Sequence, residues 1–304
     1  MIRIRYLQMK LSMHSPAKIN LYLDVLGKRT DGYHNIKSVM QTVGLCDEVS
    51  VETLTPTPGT QSIEISCTEA ALPCDARNLA HRAAVAFFDG CGIYDFTCKI
   101  HIKKNIPMAA GLAGGSTDAA AVLNLLNALS GHPLDTDALC SLGATIGADV
   151  PFCIRRGTLY TEQIGDVMVP CYPMPSAYVV IALGGDSVST PTAYRMLDDR
   201  FGSGLDRDFS DVKAMTDALH RRDLSGICAA MYNVFEEVIL PVHEQARKAK
   251  ELLLQYGALG ALMSGSGPAV FGIFDDEAAA QSASHRLRKS IDRVFVCTTS
   301  VPMK

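Results

Sequence analysis

The 304-residue sequence contains no tryptophan, no Cys-x-x-Cys pair and no apolar run long enough to form a membrane helix. A membrane-spanning helix needs about 18 or more consecutive apolar residues, so we expect a soluble protein with no membrane role. The ten cysteines show none of the spacings of a zinc site. We expect them to be reduced, partly buried thiols of a cytoplasmic protein.

Charge is also scarce. Charged residues make up 20% of the chain, and the formal net charge is only −4. Proteins dedicated to nucleic-acid binding usually carry a clear basic surplus, so the sequence predicts no nucleic-acid partner. Hydrophobic residues make up 48%, which is an ordinary globular balance, and the length fits two domains. No obligate protein partner is evident from the sequence.

The N-terminal segment, MIRIRYLQMKLSMHS, is cationic but lacks the continuous apolar core of a signal peptide. Met9 and Met13 could each serve as an alternative start of translation. We therefore expect residues 1–12 to be a flexible extension.

Strand and helix patterns alternate along the chain. Residues 18–27, KINLYLDVLG, alternate apolar and polar side chains, which predicts a half-buried strand. EVSVETL and SIEISC predict two strands joined by a hairpin-type connection through TPTPGTQ. Further strands are predicted in FTCKIHIKKNIP, SAYVVIALGG, RVFVCTTS and both flanks of SGSGP. Further helices are predicted in RNLAHRAAVAFFDGCG, TDAAAVLNLLNALSG, TDALCSLGATIGADVPFCI with a break near Gly147, DEAAAQSASHRLRKSI, and much of 210–256.

These patterns favour an α+β fold in two lobes, because hairpin-type strands near the start are followed by mixed helices and strands. The segment PCYPMPS contains three prolines, which places the division between the lobes near residues 165–175.

The stretch PMAAGLAGGSTDAA, residues 107–120, lies between a predicted strand and a buried helix. It fits neither the Walker pattern nor the dinucleotide fingerprint. Its main-chain amides can still hold a di- or triphosphate, and the helix dipole adds to the attraction. Ser116 or Thr117 can cap the helix and offer a hydroxyl to a phosphate-bound Mg²⁺. The alternative is a helix start built from small residues for tight packing.

Three tracts in order, SPAKINLYLDVLGKRTDGYH, the glycine loop and MSGSGPAVFGIF, resemble the three motifs of the GHMP kinase superfamily. The resemblance implies an N-terminal ATP-binding domain at residues 13–170, a C-terminal α/β domain at 171–304, and an active site between them. PAKINLYLDVLGKRTDGYHNI is similar to the branch that acts on a cytidine-diphosphate-linked methylerythritol. It implies transfer of the ATP γ-phosphate to the 2-hydroxyl of that compound, in the non-mevalonate route to isoprenoids.

The resemblance assigns two catalytic candidates. Lys18 is expected beside the acceptor hydroxyl, where its charge would stabilise the developing alkoxide. Asp149 is expected to be the general base. It is the only carboxylate in the apolar stretch 139–154, and an isolated buried charge needs a partner or a function. If the two side chains meet, the ammonium keeps the aspartate ionised at neutral pH. The alternatives are an ordinary solvated lysine and a helix-terminating cap.

The remaining site candidates divide between the nucleotide and the acceptor substrate. ATP and Mg²⁺ are the implied co-substrate and metal, with Ser116 as the candidate metal ligand. The residues assigned to ATP are Pro107, Met108, Ala109, Ala110, Gly111, Leu112, Ala113, Gly114, Gly115, Ser116 and Thr117, with Asn78, Lys103 and Lys104 at its border.

The acceptor substrate implied by the resemblance is a small cytidine-diphosphate compound. Tyr33 would stack on the cytosine, His34 would contact the base's hydrogen-bonding edge, and Tyr194 would cover the ring's other face. Asn20 and Thr190 are candidates for substrate hydroxyls or phosphates. The second lobe would bring Gly265 and Gly267 to the substrate phosphates.

The loop departs from the family pattern Gly-Leu-Gly-Gly-Gly-Ser-Ser at Ala113 and Thr117. Thr117 keeps the hydroxyl, and Ala113 matters only if that position needs a positive φ.

Two other functions remain open. One is a different kinase of the superfamily, acting on homoserine, a mevalonate derivative or a sugar, although those acceptors carry no nucleobase for the GYH stretch to bind. The other is a sensor or scaffold without catalysis, which the presence of both Lys18 and Asp149 disfavours.

Overall fold

The computed structural model describes residues 9–165, 167–202 and 212–299. The strands are β1 (Met9–Lys28), β2 (His34–Leu54), β3 (Gln61–Cys67), β4 (Phe96–Lys103), β5 (Thr158–Gln163), β6 (Val167–Pro170), β7 (Tyr178–Leu183), β8 (Tyr232–Asn233), β9 (Gly260–Met263), β10 (Ala269–Phe274) and β11 (Val294–Thr298). The helices are α1 (Leu79–Gly90), α2 (Gly114–Leu129), α3 (Thr136–Ala144), α4 (Val150–Arg155), α5 (Thr190–Phe201), α6 (Val212–His220), α7 (Leu224–Ala229), α8 (Glu236–Ile239), α9 (Glu244–Gln255) and α10 (Glu277–Leu287).

The first sheet is built on the long antiparallel pair of β1 and β2. Its order is β3-β4-β2-β1-β8, and off this path β5 pairs with β2 and β6 pairs with β5. The prediction of a strand at 18–27 is confirmed, but the strand is longer and is not half-buried. From Ser15 to Val25 both faces of β1 are buried, because α2 packs on one face and the second sheet on the other. The polar residues within this segment are therefore buried as well, including Lys18, Asn20 and Asp24.

The predicted hairpin between the second and third strands is wrong. β3 pairs in parallel with β4, and β4 pairs with β2, so β4 lies between the two strands that follow each other in the chain. The predicted face of β4 is confirmed, since Phe96, Cys98, Ile100 and Ile102 are all buried. They pack under α1 and α2, whose apolar residues form one core cluster with them.

The second sheet is antiparallel and has the order β11-β7-β10-β9. One face packs against β1 and β2, where Ile19 and Leu21 meet Val179, Ile181 and Phe271. The other face is covered by α9 and α10. The two sheets and the helices outside them confirm the predicted α+β class.

The chain changes sheet between β6 and β7, across the proline-containing segment that the sequence analysis singled out. The short strand β8 returns to the first sheet and pairs with β1. The division of domains between residues 170 and 171 stays a prediction. Residues 9–12, expected to be part of an extension, begin β1, and residues 1–8 lie outside the described residues. In the described ranges, no helix combines the length and the hydrophobicity needed to span a bilayer.

Candidate active site

The glycine loop ends at the first turn of α2. The residue preceding the helix is Ala113, which has φ 58° and makes no side-chain capping bond. Neither Ser116 nor Thr117 is therefore the cap, and that expectation was wrong. The first N–H groups of a helix have no partner within it, so those of Gly114 to Ser116 remain available for an anion. Ala113 occupies the left-handed region, which costs a non-glycine residue about 1–2 kcal/mol. The replacement of the family's glycine by alanine therefore adds backbone strain to this loop.

The hydroxyl of Thr117 bonds to other residues of the protein. Thr117 is buried, its Oγ1 donates to the carbonyl of Pro16 at 2.8 Å, and it accepts from Ser15 Oγ at 3.0 Å. These bonds tie α2 to β1. They use both the donor and an acceptor site of the Thr117 hydroxyl. Of Ser116 and Thr117, only Ser116 lines the cavity described below.

A cavity of about 670 Å³ opens beside the loop. Its walls come from β1, β2, the glycine loop, the segment before α4, α5 and the turn between β9 and β10. The structure brings most of the predicted site residues to this one cavity. They are Lys18, Asn20, Tyr33, His34, Ala109, Ala110, Gly111, Ala113, Gly114, Gly115, Ser116, Asp149, Thr190, Tyr194 and Gly265.

The two catalytic candidates meet on one wall. Lys18 Nζ lies 3.8 Å from Asp149 Oδ2 and donates to Asn20 Oδ1 at 2.6 Å. Asn20 Nδ2 in turn donates to Ser38 Oγ at 2.9 Å, which fixes the amide orientation. The ammonium of Lys18 is thus held between an amide oxygen and a carboxylate, within the buried part of β1.

Asp149 differs from the expectation of a buried carboxylate, because 38% of its side-chain surface is exposed. It immediately precedes α4 but makes no side-chain capping bond. The helix-cap alternative is therefore wrong. The carboxylate instead faces the cavity beside Lys18, where it can accept a proton from a bound hydroxyl group.

The aromatic end of the cavity is formed by His34, Tyr194 and Phe235. The rings of His34 and Tyr194 stack with centroids 4.5 Å apart, and Phe235 meets Tyr194 edge-on at 5.0 Å. Burial, and then the charge of Asp149, raises the pKa of Tyr194. Tyr33 lies at the cavity mouth and is 62% exposed, so its ring face is free to stack on a ligand.

Several predicted residues do not line the cavity. Asn78 caps α1 by accepting from Ala80 N at 2.9 Å and donates to Pro73 O at 2.7 Å. Lys104 is buried between Asp47 and Asp118. The others are Lys103, Pro107, Met108, Leu112, Thr117 and Gly267.

Sequence reasoning missed cavity residues on β1 and α5. Asp198 Oδ1 lies at hydrogen-bonding distance, 2.8 Å, from His34 Nε2, and its Oδ2 accepts from Lys28 Nζ at 3.0 Å. Burial acts to raise the pKa of Asp198, but these two hydrogen bonds outweigh it and lower that pKa. Arg195 also lines the cavity. The spacing of Tyr194 and Asp198, four residues apart on one helix face, is the pattern that could have found Asp198.

Comparisons with known proteins show the family of this chain. The model described as GHMP kinases N terminal domain matches residues 78–157, and the one described as GHMP kinases C terminal matches residues 215–293. The 4-diphosphocytidyl-2-C-methyl-D-erythritol kinase of Clostridium perfringens is 42% identical over 278 residues, which is 91% of this chain and 93% of that protein. This chain belongs to the 4-diphosphocytidyl-2-C-methyl-D-erythritol kinase family. The Geobacillus thermodenitrificans kinase of the same name is 42% identical over 94% of this chain and 96% of its own length.

Solved structures support membership of the 4-diphosphocytidyl-2-C-methyl-D-erythritol kinase family. The crystal structure of a 4-(cytidine 5'-diphospho)-2C-methyl-D-erythritol kinase superposes with a TM-score of 0.77 at 30% identity, covering 95% of this chain and 98% of that chain. A homoserine kinase from Cytophaga hutchinsonii superposes with a TM-score of 0.73 at 19% identity, covering 97% of each chain, and so shares the fold alone. GHMP kinases use ATP as the phosphate donor, so the chain is an ATP-dependent kinase.

Proposed function

We propose that this chain transfers the γ-phosphate of ATP to the 2-hydroxyl of 4-diphosphocytidyl-2-C-methyl-D-erythritol, in the methylerythritol phosphate pathway to isoprenoid precursors. One observation carries the proposal beyond family membership. The Lys18–Asp149 pair, the glycine loop and the Tyr33–His34 turn all open into the same cavity. An acceptor with a nucleobase at one end and a sugar alcohol at the other suits such a cavity.

The reaction at the acceptor end needs one proton acceptor and one positive charge. Asp149 accepts the proton of the 2-hydroxyl, the oxygen bonds to the γ-phosphorus, and the bond to the β-phosphate oxygen breaks to leave ADP. Lys18 stabilises the negative charge that develops on the attacking oxygen. Asn20 accepts a hydrogen bond from Lys18, which holds the ammonium in place through the reaction.

The donor is held by main-chain amides. Gly114, Gly115 and Ser116 line the cavity at the N-terminus of α2, where the free N–H groups of the first helical turn can donate to the triphosphate. Asn78 and Lys104 do not line the cavity, and their assignment to the nucleotide border stays a prediction.

Magnesium fits this site only with the help of the nucleotide. In the described ranges, no group of three or more histidine, cysteine or carboxylate side chains could hold a metal ion. Mg²⁺ typically takes a few protein oxygens and completes its shell with phosphates and water. Ser116 supplies a hydroxyl at the cavity wall. Bound Mg²⁺ would neutralise charge on the phosphates.

The base end sets the choice of acceptor. Tyr33 stacks on the cytosine, and His34 contacts the hydrogen-bonding edge of the base beside Tyr194, on which its ring stacks. Thr190 and Gly265 border the phosphates. The chemistry requires no membrane and no nucleic acid. We place the protein in the cytoplasm, in keeping with its ten cysteines, which are all free thiols.

The test is a panel of acceptors with ADP release as the readout. We expect turnover with the cytidine compound and none with homoserine, mevalonate or galactose. Turnover with homoserine but not with the cytidine compound would overturn the proposal in favour of another kinase of the superfamily. Tight binding of ATP and the cytidine compound without any turnover would instead support a sensor.

A further inference from the structure

Asp198 is a carboxylate that joins three separate elements at the base end of the cavity. Its two oxygens contact different side chains: Oδ1 lies 2.8 Å from His34 Nε2, and Oδ2 accepts from Lys28 Nζ at 3.0 Å. Lys28 and His34 face each other across the end of the β1–β2 pair. The carboxylate on α5 therefore bridges the last residue of β1 and the first residue of β2.

The imidazole of His34 is held on two sides by a single helix. Tyr194 stacks on the ring face, and Asp198, one helical turn later, forms a hydrogen bond with the ring edge at Nε2. Only 6% of the His34 side chain and 15% of the Asp198 side chain are exposed. A charge-assisted hydrogen bond that is so well shielded from water is stronger and more strongly directional than a surface contact.

An aspartate that is ionised can only accept hydrogen bonds, so the nitrogen facing it must carry a proton. In a neutral imidazole one nitrogen donates and the other accepts. With the proton on Nε2, the acceptor is Nδ1, and Nδ1 makes no hydrogen bond within the part of the chain that the structure describes.

We propose that Asp198 is a positioning residue that fixes the Nε2–H tautomer of His34 and so leaves Nδ1 as an acceptor for the exocyclic amino group of the acceptor's base. This inference rests on the proposed function for the identity of that base. Cytosine carries an amino group at the position where uracil carries an oxygen acceptor. Two acceptors facing each other leave a desolvated lone pair without a partner, so Asp198 contributes to selection of cytosine over uracil.

The tautomer can be measured without any substrate. The full chain contains eight histidines, so long-range proton–nitrogen spectra of ¹⁵N-histidine-labelled protein, assigned with His34→Gln, isolate the ring of His34. We expect the proton on Nε2 in the wild type and a loss of that preference in Asp198→Asn, because an amide can also donate. A wild-type His34 that carries a proton on Nδ1, whether alone or together with one on Nε2, overturns the inference, even if the variant fails to fold.

Kinetics test the consequence for the substrate. Asp198→Asn is expected to raise KM for the cytidine compound about tenfold, the scale of losing one well-ordered hydrogen bond. We expect KM for ATP to stay unchanged and kcat to change little, since the base is remote from the reacting oxygen. The preference for the cytidine compound over its uridine analogue should fall in the same variant. Asp198→Glu is expected to restore part of that preference.

The matched control is Asp199→Asn, which makes the same chemical change at an exposed neighbour on the same helix. It should behave as the wild type in every assay. Unchanged KM and unchanged base preference in Asp198→Asn overturn the inference. If the wild type does not phosphorylate the cytidine compound at all, the proposed function fails, whereas the tautomer measurement still decides the role of Asp198.

Discussion

Asp149 is a half-exposed carboxylate with an ammonium group nearby. Its Oδ2 lies 3.8 Å from Lys18 Nζ, which is itself bonded to Asn20. The hydrogen bond from Lys18 to Asn20 restrains the lysine side chain, while the carboxylate of Asp149 stays accessible to a ligand. This arrangement can move a proton at the acceptor hydroxyl without first exposing a buried charge.

Asp149→Asn removes the proton acceptor and keeps the shape of the side chain. We expect kcat to fall by about 10²–10⁴-fold, the usual contribution of a general base, with ATP affinity unchanged in calorimetric titration. The control is Asp137→Asn, since Asp137 is an exposed carboxylate paired with Arg155. A kcat near that of the wild type would remove Asp149 from the role of general base.

Thr117→Val tests whether the Thr117 hydroxyl contributes to the stability of the folded state. The substitution leaves the fully buried Ser15 hydroxyl and the Pro16 carbonyl without their partner. We expect the free energy of unfolding to fall by about 1–3 kcal/mol in urea titration, while Thr117→Ser stays close to the wild type. A normal stability together with a raised KM for ATP would mean that the hydroxyl acts on the nucleotide instead.

Between elements, a buried charge cluster ties β2, the end of β4 and α2 together. Lys104 lies between Asp47 and Asp118, and Asp47 also accepts from the main-chain amides of Asn105 and Ile106 at 2.6 and 2.8 Å. Asp118 Oδ1 has no partner among the described residues. Burial raises the pKa of Asp118 to about 7. The charge of Lys104 acts to lower this pKa, and the neighbouring carboxylate of Asp47 acts to raise it.

This pKa predicts how stability changes with pH. In the unfolded chain the carboxyl titrates near 3.8, so between about pH 4 and 7 the folded state binds more protons than the unfolded state. The contribution of Asp118 is fully present below that range and is lost as the pH rises through about 7. Asp118→Asn cannot titrate, so its free energy of unfolding should fall less between pH 5 and pH 8.

Urea unfolding at pH 5 and pH 8, at equal ionic strength, measures that difference. Asp89→Asn, at an exposed position on α1, is the control and should show the pH dependence of the wild type. An Asp118→Asn protein with the same pH dependence as the wild type would show that the carboxyl of Asp118 does not titrate in this range.

Across the whole molecule, the glycine loop of the first sheet and the β9–β10 turn of the second touch at the backbone. Ser264 Oγ donates to the carbonyl of Gly111 at 2.9 Å, and Ala269 N donates to the carbonyl of Ala110 at 3.3 Å. A Cβ at Gly111 would lie 2.0 Å from the carbonyl oxygen of Ser264. Contacts with the second sheet therefore help to hold the backbone of the glycine loop in place.

Comparing Gly111→Ala with Gly59→Ala separates the effect of this close contact from the effect of backbone conformation. Gly59 has the same φ of +78°, and nothing lies within 4 Å of an added Cβ there. Gly59→Ala should cost about 1–3 kcal/mol of unfolding free energy from the left-handed conformation alone. Gly111→Ala should cost clearly more and weaken ATP binding in calorimetric titration. Equal losses of stability in the two variants, with normal ATP affinity, would mean that the contact has no role.

Local patterns in the sequence determined much of this protein. The alternation in β4, the glycine loop leading into α2 and the helix over Leu79–Gly90 were predictable because periodicity and glycine act within a few residues. The pairing of Lys18 with Asp149 followed from family resemblance alone.

Tertiary structure decided what depends on residues far apart in the chain. Only packing of the second sheet shows that the polar side chains of β1 are buried, and only strand pairing shows that β4 separates β2 from β3. The bonds of Thr117 to Ser15 and of His34 to Asp198 span more than a hundred residues. Such contacts leave no periodic trace in a sequence, because each depends on the three-dimensional position of both partners.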